Sequence, residues 1–474
     1  MMQGPLKSLF TKHYGNEPLS IESLPGDGSD RQLFRLKDGK RSVIGAANSD
    51  RRENAAFLGF SRHFRKCGLP VPEIYAEDLD NGIYLEEDLG RTNLFQLLSS
   101  LRKQGAPFPA QALEVYRKAV KMLPQFQLVA GKTLDYSLCH PRAAFDRQSM
   151  MWDLNYFKYY FLRLAKIPFN EQELEDDFNR FADFLLEAEG EGFLYRDFQS
   201  RNIMAREDGP WFIDYQGGRK GALQYDIASL LFDAKADMPF DIREELLELY
   251  LEEVRKLVPV DRARFRTHYY GYVFIRIMQA MGAYGLRGFH EKKTHFLQSI
   301  PYAIRNLEYL LRKADMKRFP ALTAALRRIV ASSYLRRFGA ASPALTVRIQ
   351  SFSYKQGLPM DEKCHGGGYV FDCRALPNPG RYEVYAHLTG RDCAIVDYFK
   401  NDSEISRFLD GVYALVGQSV ENYRNRNFTD LQAAFGCTGG RHRSVYCAES
   451  LARHLREQYG VEVELRHLAL ENEK

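Results

Sequence analysis

Asp197 and Asn202 lie in the run Tyr195-Arg196-Asp197-Phe198-Gln199-Ser200-Arg201-Asn202, and the apolar stretch Trp211-Phe212-Ile213 then leads to Asp214. An Arg-Asp-x-x-x-x-Asn spacing followed by an aspartate at a strand end suits phosphoryl transfer. That reaction needs one carboxylate to take the proton of the attacking hydroxyl. It also needs hard oxygen ligands to hold magnesium on the nucleotide phosphates. Asp197 has the position for the first role, and Asn202 with Asp214 for the second.

Upstream, Pro25-Gly26-Asp27-Gly28-Ser29-Asp30-Arg31 precedes a predicted strand pair. Gly26, Gly28 and Ser29 let backbone N–H groups come close to phosphates, and Arg31 adds charge. The same residues also make an ordinary turn, so it is their place before the strands that favours a nucleotide. Downstream, Asp226 in Tyr225-Asp226-Ile227 is expected to cap a helix and brace the catalytic loop.

A second cluster is Gly436-Cys437-Thr438-Gly439-Gly440-Arg441-His442-Arg443-Ser444, between a predicted strand and a helix. Backbone N–H groups, a helix amino terminus, Arg441 and Arg443 would converge there as an anion site. Cys437 and Arg443 also have the Cys-x-x-x-x-x-Arg spacing of cysteine phosphatases, in which an activated thiol attacks phosphorus. Against that chemistry, glycine precedes the cysteine and no acidic partner is evident. Phosphate-ester binding, phosphatase chemistry and a structural turn all stand as readings.

These residues need elements to position them. Leu33–Leu36, Ser42–Ala46 and Gly82–Glu87 read as strands, and Phe57, Phe60 and Phe64 recur at helical spacing. From about 92 to 190 the pattern is helical, with amphipathic stretches at Ala112–Phe126 and Leu154–Leu164; helices resume from Ile227 to about 312. Arg312–Phe338 carries eight basic residues against one acidic, with Leu322, Leu326, Ile329 and Val330 on one helical face. Such a helix packs on its neighbour and solvates its charges, or offers them to an anionic partner. Beyond Pro343, strands are expected at Val347–Tyr354, Tyr369–Asp372 and Leu431–Gly436, with a helix from Ser444.

The fold class is therefore α+β: a bilobal protein-kinase-like fold followed by a separate small α/β domain. The expected divisions are 1–91 (small lobe), 92–311 (helical lobe with the catalytic loop), 312–342 (basic linker helix region) and 343–474. At 474 residues, 45% of them hydrophobic and 27% charged, the chain has length for several cores. A net charge of +5 is mild and neither requires nor excludes an acidic partner. No run of about 18 apolar residues suggests a membrane span. Seven cysteines, an odd count at irregular spacing, favour reduced thiols and a cytoplasmic location.

Residues 18–310 resemble the aminoglycoside-phosphotransferase-type kinases, and among them the anomeric kinases of N-acetylmuramate and N-acetylglucosamine. The matching runs are Gly26–Arg31, Leu85–Gly90, Phe145-Asp146-Arg147, Arg196–Asn202, Ile213–Gly217 and Tyr225–Leu230. The resemblance implies ATP and Mg2+, transfer to a sugar hydroxyl, Asp197 as base, and Asn202 and Asp214 as metal ligands. Two departures stand out. Tyr195 replaces a histidine that supports the loop in the wider family, and strand Ser42–Ala46 lacks the usual phosphate-gripping lysine. Lys40, Arg31 and Arg35 are the cations nearby, and Glu53 is placed to steady one of them.

Residues from about 345 to 468 resemble the carboxy-terminal domain of the bacterial RNase adapter protein RapZ. The resemblance rests on Ser351–Pro359, Phe371–Pro379, Leu388–Asp392 and Gly436–Ser444. It implies recognition of glucosamine-6-phosphate, here by Cys437, Thr438, Gly439, Gly440, Arg441, His442, Arg443 and Ser444, and of a small RNA. The ending Leu470-Glu471-Asn472-Glu473-Lys474 is not the strongly basic tail that helps bind RNA, which puts that partner in doubt. Both halves point to amino-sugar metabolites, so an ATP-dependent amino-sugar kinase with a fused sugar-phosphate-sensing domain is expected. The rival from another class is an RNA or metabolite adapter whose kinase-like half is a scaffold.

Overall fold

Alternating apolar residues in the first ninety positions build a five-stranded antiparallel sheet of order β1-β2-β3-β5-β4. Its strands are β1 (Ser20–Leu24), β2 (Gln32–Lys37), β3 (Ser42–Ala47), β4 (Ile74–Asp78) and β5 (Ile83–Glu87). The computed structural model describes residues 3–24, 31–102, 107–339, 345–361, 368–400, 402–425 and 428–471. Gly26, Gly28 and Ser29 lie outside them. Helix Gln3–Tyr14 packs Leu6, Leu9 and Phe10 against the sheet, beside Phe34, Leu36, Val43 and Leu85. Helix Arg51–Lys66 starts where the Asp50 carboxylate accepts the N–H groups of Arg52 and Glu53. It buries Phe57, Phe60 and Phe64, and Phe57 stacks between Tyr84 of β5 and Tyr215 at 5.3 and 5.2 Å. The small lobe is thereby keyed to the loop that carries Asp214.

The rest of this unit is mainly helical. Two short ribbons hold the segment that carries Asp197 and Asp214: β6 (Gly192–Leu194) pairs with β9 (Arg219–Gly221), and β7 (Ile203–Arg206) with β8 (Gly209–Phe212). The Asp197 loop runs from β6 to β7 and the Asp214 loop from β8 to β9, so both ribbons fix both loops. The long helix Arg262–Tyr284 packs against helices Arg147–Phe157 and Gln224–Leu231.

The basic stretch belongs to this first unit, which extends to Arg337. Helix Pro320–Ala331 buries Leu322, Ala325, Leu326 and Ile329, and the fully buried Asp177 accepts the Leu322 N–H at 2.9 Å. Arg318 pairs with Glu187, Arg312 and Arg336 with Glu308, and Arg328 donates to the Pro168 carbonyl. Three of the eight basic residues thus meet carboxylates of the same unit.

The second unit, Phe338–Lys474, is a parallel sheet of order β11-β12-β10-β13. Its strands are β10 (Thr346–Ser353), β11 (Tyr369–Asp372), β12 (Asp430–Cys437) and β13 (Glu462–His467). Helices Ser403–Asn425 and Arg443–Tyr459 complete a core that includes Val347, Ile349, Phe435, Val412, Val416, Leu451 and Leu455. The carboxyl ends of β10 and β12 lie side by side, which is where open parallel sheets place ligand sites. Among the described residues of both units, no helix is long and apolar enough to cross a membrane.

Candidate active site

Asp226 anchors the catalytic loop. Its carboxylate accepts the N–H groups of Tyr195 (2.8 Å) and Arg196 (3.1 Å) and the Gln127 amide (3.0 Å). Burial pushes its pKa up to about 7 against the pull of these donors. The expected cap is not found: Asp226 sits inside the first turn of helix Gln224–Leu231, whose N-cap position is Leu223. The brace is real and the cap is not, because the donors come from a distant segment.

Tyr195, at the position of the family's histidine, is fully buried, and its hydroxyl donates to the Ile213 carbonyl at 2.7 Å. This joins the catalytic loop to the residue before Asp214. Arg196 clamps Asp153 with two bonds of 2.7 and 2.8 Å and donates to the Tyr225 hydroxyl. Arg196 and Asp214 have φ of 80° and 70°. Such left-handed backbone in non-glycine residues costs energy and clusters at functional sites.

Asn202 joins the two acids. Its Nδ2 donates to the Asp197 carbonyl and to Asp214 Oδ2, both at 2.9 Å. Gln216 donates to Asp214 Oδ1 at 2.8 Å and to Glu53 Oε1 at 3.2 Å. Glu53 in turn receives Arg31 at 2.9 Å. A continuous polar chain therefore runs Arg31–Glu53–Gln216–Asp214–Asn202–Asp197, from the sheet to the loop. Asp197 is the exposed end, with its side chain 43% accessible.

Of the cations near β3, Arg31 is the one that pairs with Glu53. Arg31, just before β2, is 10% exposed, lies over the Phe57 ring, and pairs with Glu53 of the underlying helix. Arg35 is not available to phosphates, because it is buried and forks onto Asp88 at 2.7 and 2.9 Å, with a further bond to the Gly90 carbonyl. Lys40 sits in the exposed turn after Asp38, whose carboxylate accepts its backbone N–H.

The residues fit a divalent cation bound with nucleotide phosphates. Burial raises the pKa of Asp214, and the charge of Asp197 adds to the rise. A cation bound to Asp214 would offset this repulsion. The ligand set of carboxylate and amide oxygens is hard, as Mg2+ requires. In addition, the buried Gln216 Oε1 and Glu86 Oε2 have no hydrogen-bond partner among the described residues. Glu86, on β5, lies in the matching run Leu85–Gly90, but its spacing alone does not single it out.

In the second unit the loop after β12 is shaped around Cys437. The buried thiol accepts the Gly440 N–H at 3.2 Å and meets the Ser444 hydroxyl at 3.1 Å. Ser353 at the end of β10 donates to the Thr438 carbonyl at 2.8 Å. Gly440 has φ of 70°, and a Cβ there would fall 2.5 Å from that of Ala469, so glycine is required. Arg443 is 5% exposed; its Nη1 holds the carbonyls of Arg374 (2.7 Å) and Leu376 (3.1 Å), while its Nε has no partner among the described residues. His442 is held by its ring on the Tyr385 carbonyl, and burial lowers its pKa. Arg441 reaches the His387 carbonyl at 3.4 Å. Thr438 and Gly439 are the exposed rim, ahead of the amino terminus of helix Arg443–Tyr459.

A half-exposed carboxylate at the end of a braced loop, with the buried Asp214 and Asn202 hydrogen-bonded to each other beside it, sits in a kinase-like phosphotransferase fold. Residues 20–266 match the model of the phosphotransferase enzyme family, and the chain belongs to that family. Residues 345–471 match the model of the RapZ C-terminal domain. A nucleotide-binding protein of Xanthomonas euvesicatoria pv. vesicatoria is 41% identical over 123 residues, 26% of this chain and 42% of that protein. One from Thermotoga neapolitana is 37% identical over 146 residues, 31% of this chain and 48% of that protein. The chain thus spans less than half the length of these curated relatives. Among solved structures, a choline kinase of Streptococcus pneumoniae aligns with TM-score 0.44 and 16% identity, covering 66% of this chain and 99% of that one. An amicoumacin kinase aligns with TM-score 0.44 and 13% identity, covering 71% and 95%.

Proposed function

We propose that the protein transfers the terminal phosphoryl group of ATP to a hydroxyl of an amino sugar, and that its second unit binds an amino-sugar phosphate. The acceptor is N-acetylglucosamine or N-acetylmuramate, and the reacting group is the anomeric hydroxyl. The unbroken polar chain from Arg31 to the main-chain carbonyl of Asp197 is the observation that carries the reading, because it fixes the residue that bears a half-exposed carboxylate relative to Asp214 and to the Arg31–Glu53 pair.

Asp197 takes the proton of the attacking hydroxyl as its oxygen bonds to the γ-phosphorus. The bond from that phosphorus to the β,γ-bridging oxygen breaks, and ADP leaves with the charge. Asn202 and Asp214 would hold the magnesium, which neutralises charge on the phosphates when bound. Arg31, kept in place by Glu53, adds positive charge on the same side. In the second unit, the Thr438–Gly440 turn, the helix amino terminus and Arg443 recognise the phosphate of glucosamine-6-phosphate. The amino-sugar assignment is supported by the convergence of the two resemblances on one metabolite class.

An ATP-consumption screen over amino sugars, aminoglycosides and choline tests the proposal. Turnover with an N-acetylated amino sugar supports it. Binding of Mg·ATP without transfer to any acceptor would instead favour a scaffold role for this half.

A further inference from the structure

We infer that Arg276 selects the phosphoryl acceptor by charge, admitting neutral or anionic hydroxyl compounds and rejecting cationic ones. The inference rests on the phosphotransferase reading of Asp197 and names the substrate class of that site. Arg276 lies on helix Arg262–Tyr284, with its side chain 13% exposed, and its Nη2 is 3.8 Å from Asp197 Oδ1. Its other arms are committed: Nε donates to the Ser229 hydroxyl at 2.9 Å and Nη1 to the Gln279 amide oxygen. The remaining arm faces the base across a gap too long for a direct hydrogen bond. A hydroxyl giving its proton to Asp197 must come within about 3 Å of that carboxylate. Nη2 can then donate to the same oxygen or to its neighbour, and it can only donate.

The surroundings give the same sign. Arg196, next to the base, is balanced by Asp153 through its two-bond clamp. Arg219 is 7% exposed and rests on the carbonyls of Gly217 and His140 rather than on a carboxylate. Gly217 itself approaches Asp197 so closely that a Cβ there would be 4.0 Å from Oδ2. The neighbouring carboxylate of Asp233 receives the Ser200 hydroxyl at 2.5 Å. Sites for quaternary or polyammonium groups use open aromatic faces and spare carboxylates. Here the rings of Phe145 and Tyr225 are already covered by the Arg196 guanidinium, at 4.9 and 5.2 Å. The Arg276 guanidinium on the acceptor side of the base, with Arg219 resting on carbonyls, would repel a cationic acceptor and attract an acidic one.

The test measures steady-state transfer and calorimetric binding for N-acetylglucosamine, N-acetylmuramate, glucosamine, choline and kanamycin. The full-length wild type is compared with Arg276→Gln and Arg276→Lys, and melting temperature and Mg·ATP affinity are recorded for each. The wild type should use the neutral or anionic sugars and neither choline nor kanamycin. Arg276→Gln should raise the acceptor KM roughly ten- to a hundredfold, most for N-acetylmuramate, while the KM for Mg·ATP stays within about twofold. Arg276→Lys, which keeps the charge, should recover part of the loss and serves if the glutamine variant folds poorly. Preference of the wild type for choline or kanamycin, or an unchanged acceptor KM in Arg276→Gln, would overturn the inference and leave the phosphotransferase reading intact. Transfer to no acceptor despite tight Mg·ATP binding would overturn that reading and this inference with it.

Discussion

Arg31 Nη2 lies 2.9 Å from Glu53 Oε1, so the cation that pairs with the small-lobe helix comes from the head of β2 and not from β3. An arginine here can keep one arm on Glu53 and turn another toward phosphate, which suits its forked geometry. Arg31→Ala should weaken Mg·ATP binding by about 1.5–3 kcal/mol, roughly ten- to a hundredfold. Arg31→Lys should retain part of the affinity. Titration of nucleotide into each variant checks this, and unchanged affinity in the alanine variant would remove Arg31 from the nucleotide site.

Glu86 provides a pH dependence. Burial pushes its carboxyl up to about 8 from an ordinary 4.5, with Arg31 opposing and Asp214 adding. The folded protein therefore holds a proton that the unfolded chain has released between these values. The stability tied to Glu86 is complete below pH 4.5 and is lost as pH rises through 8. Glu86→Gln cannot ionise and escapes this loss, which is at most about 1.4 kcal/mol per pH unit. Its melting temperature relative to wild type should rise steadily from pH 5 to pH 8. A pH-independent difference would show that Glu86 ionises normally in the folded protein.

The proposed function gives Arg443 two duties, phosphate recognition and a structural tie, that one substitution will separate only in part. It ties the Arg374–Leu376 segment to the anion loop and leaves Nε without a partner among the described residues. Arg443→Ala should weaken glucosamine-6-phosphate binding by about 1.5–3 kcal/mol and also lower the melting temperature. Cys437→Ser should bind nearly as wild type, because the thiol shapes the loop from below. If wild type shows a phosphatase activity that Cys437→Ser abolishes, the cysteine is a nucleophile instead.

The proximity of Asp197, Asn202 and Asp214 is legible in the sequence because their spacing is local: one loop and one strand end carry all three. The strands Gln32–Lys37, Ser42–Ala47 and Ile83–Glu87 are legible because their apolar residues face a core. Edge strands Ser20–Leu24 and Ile74–Asp78 are not, since none of their residues is fully buried. Helix Gln3–Tyr14 gives little signal because only Leu6, Leu9 and Phe10 mark its inner face. Asp226 reads as both cap and brace and is only the brace; Gln216 and Glu86 fall within the matching runs Ile213–Gly217 and Leu85–Gly90 without being singled out there, and Arg276 gives no signal. Their roles come from residues brought close by folding, which spacing along the chain does not encode.

The most direct test of the central claim is transfer of phosphate from Mg·ATP to N-acetylglucosamine or N-acetylmuramate by wild type and Asp197→Asn. The wild type should form the sugar phosphate and ADP in equal amounts. Asp197→Asn should keep its melting temperature and nucleotide affinity yet lose at least about a hundredfold in rate, the scale expected when a general base is removed. Equal rates in the two proteins would contradict the assignment of Asp197 as the base.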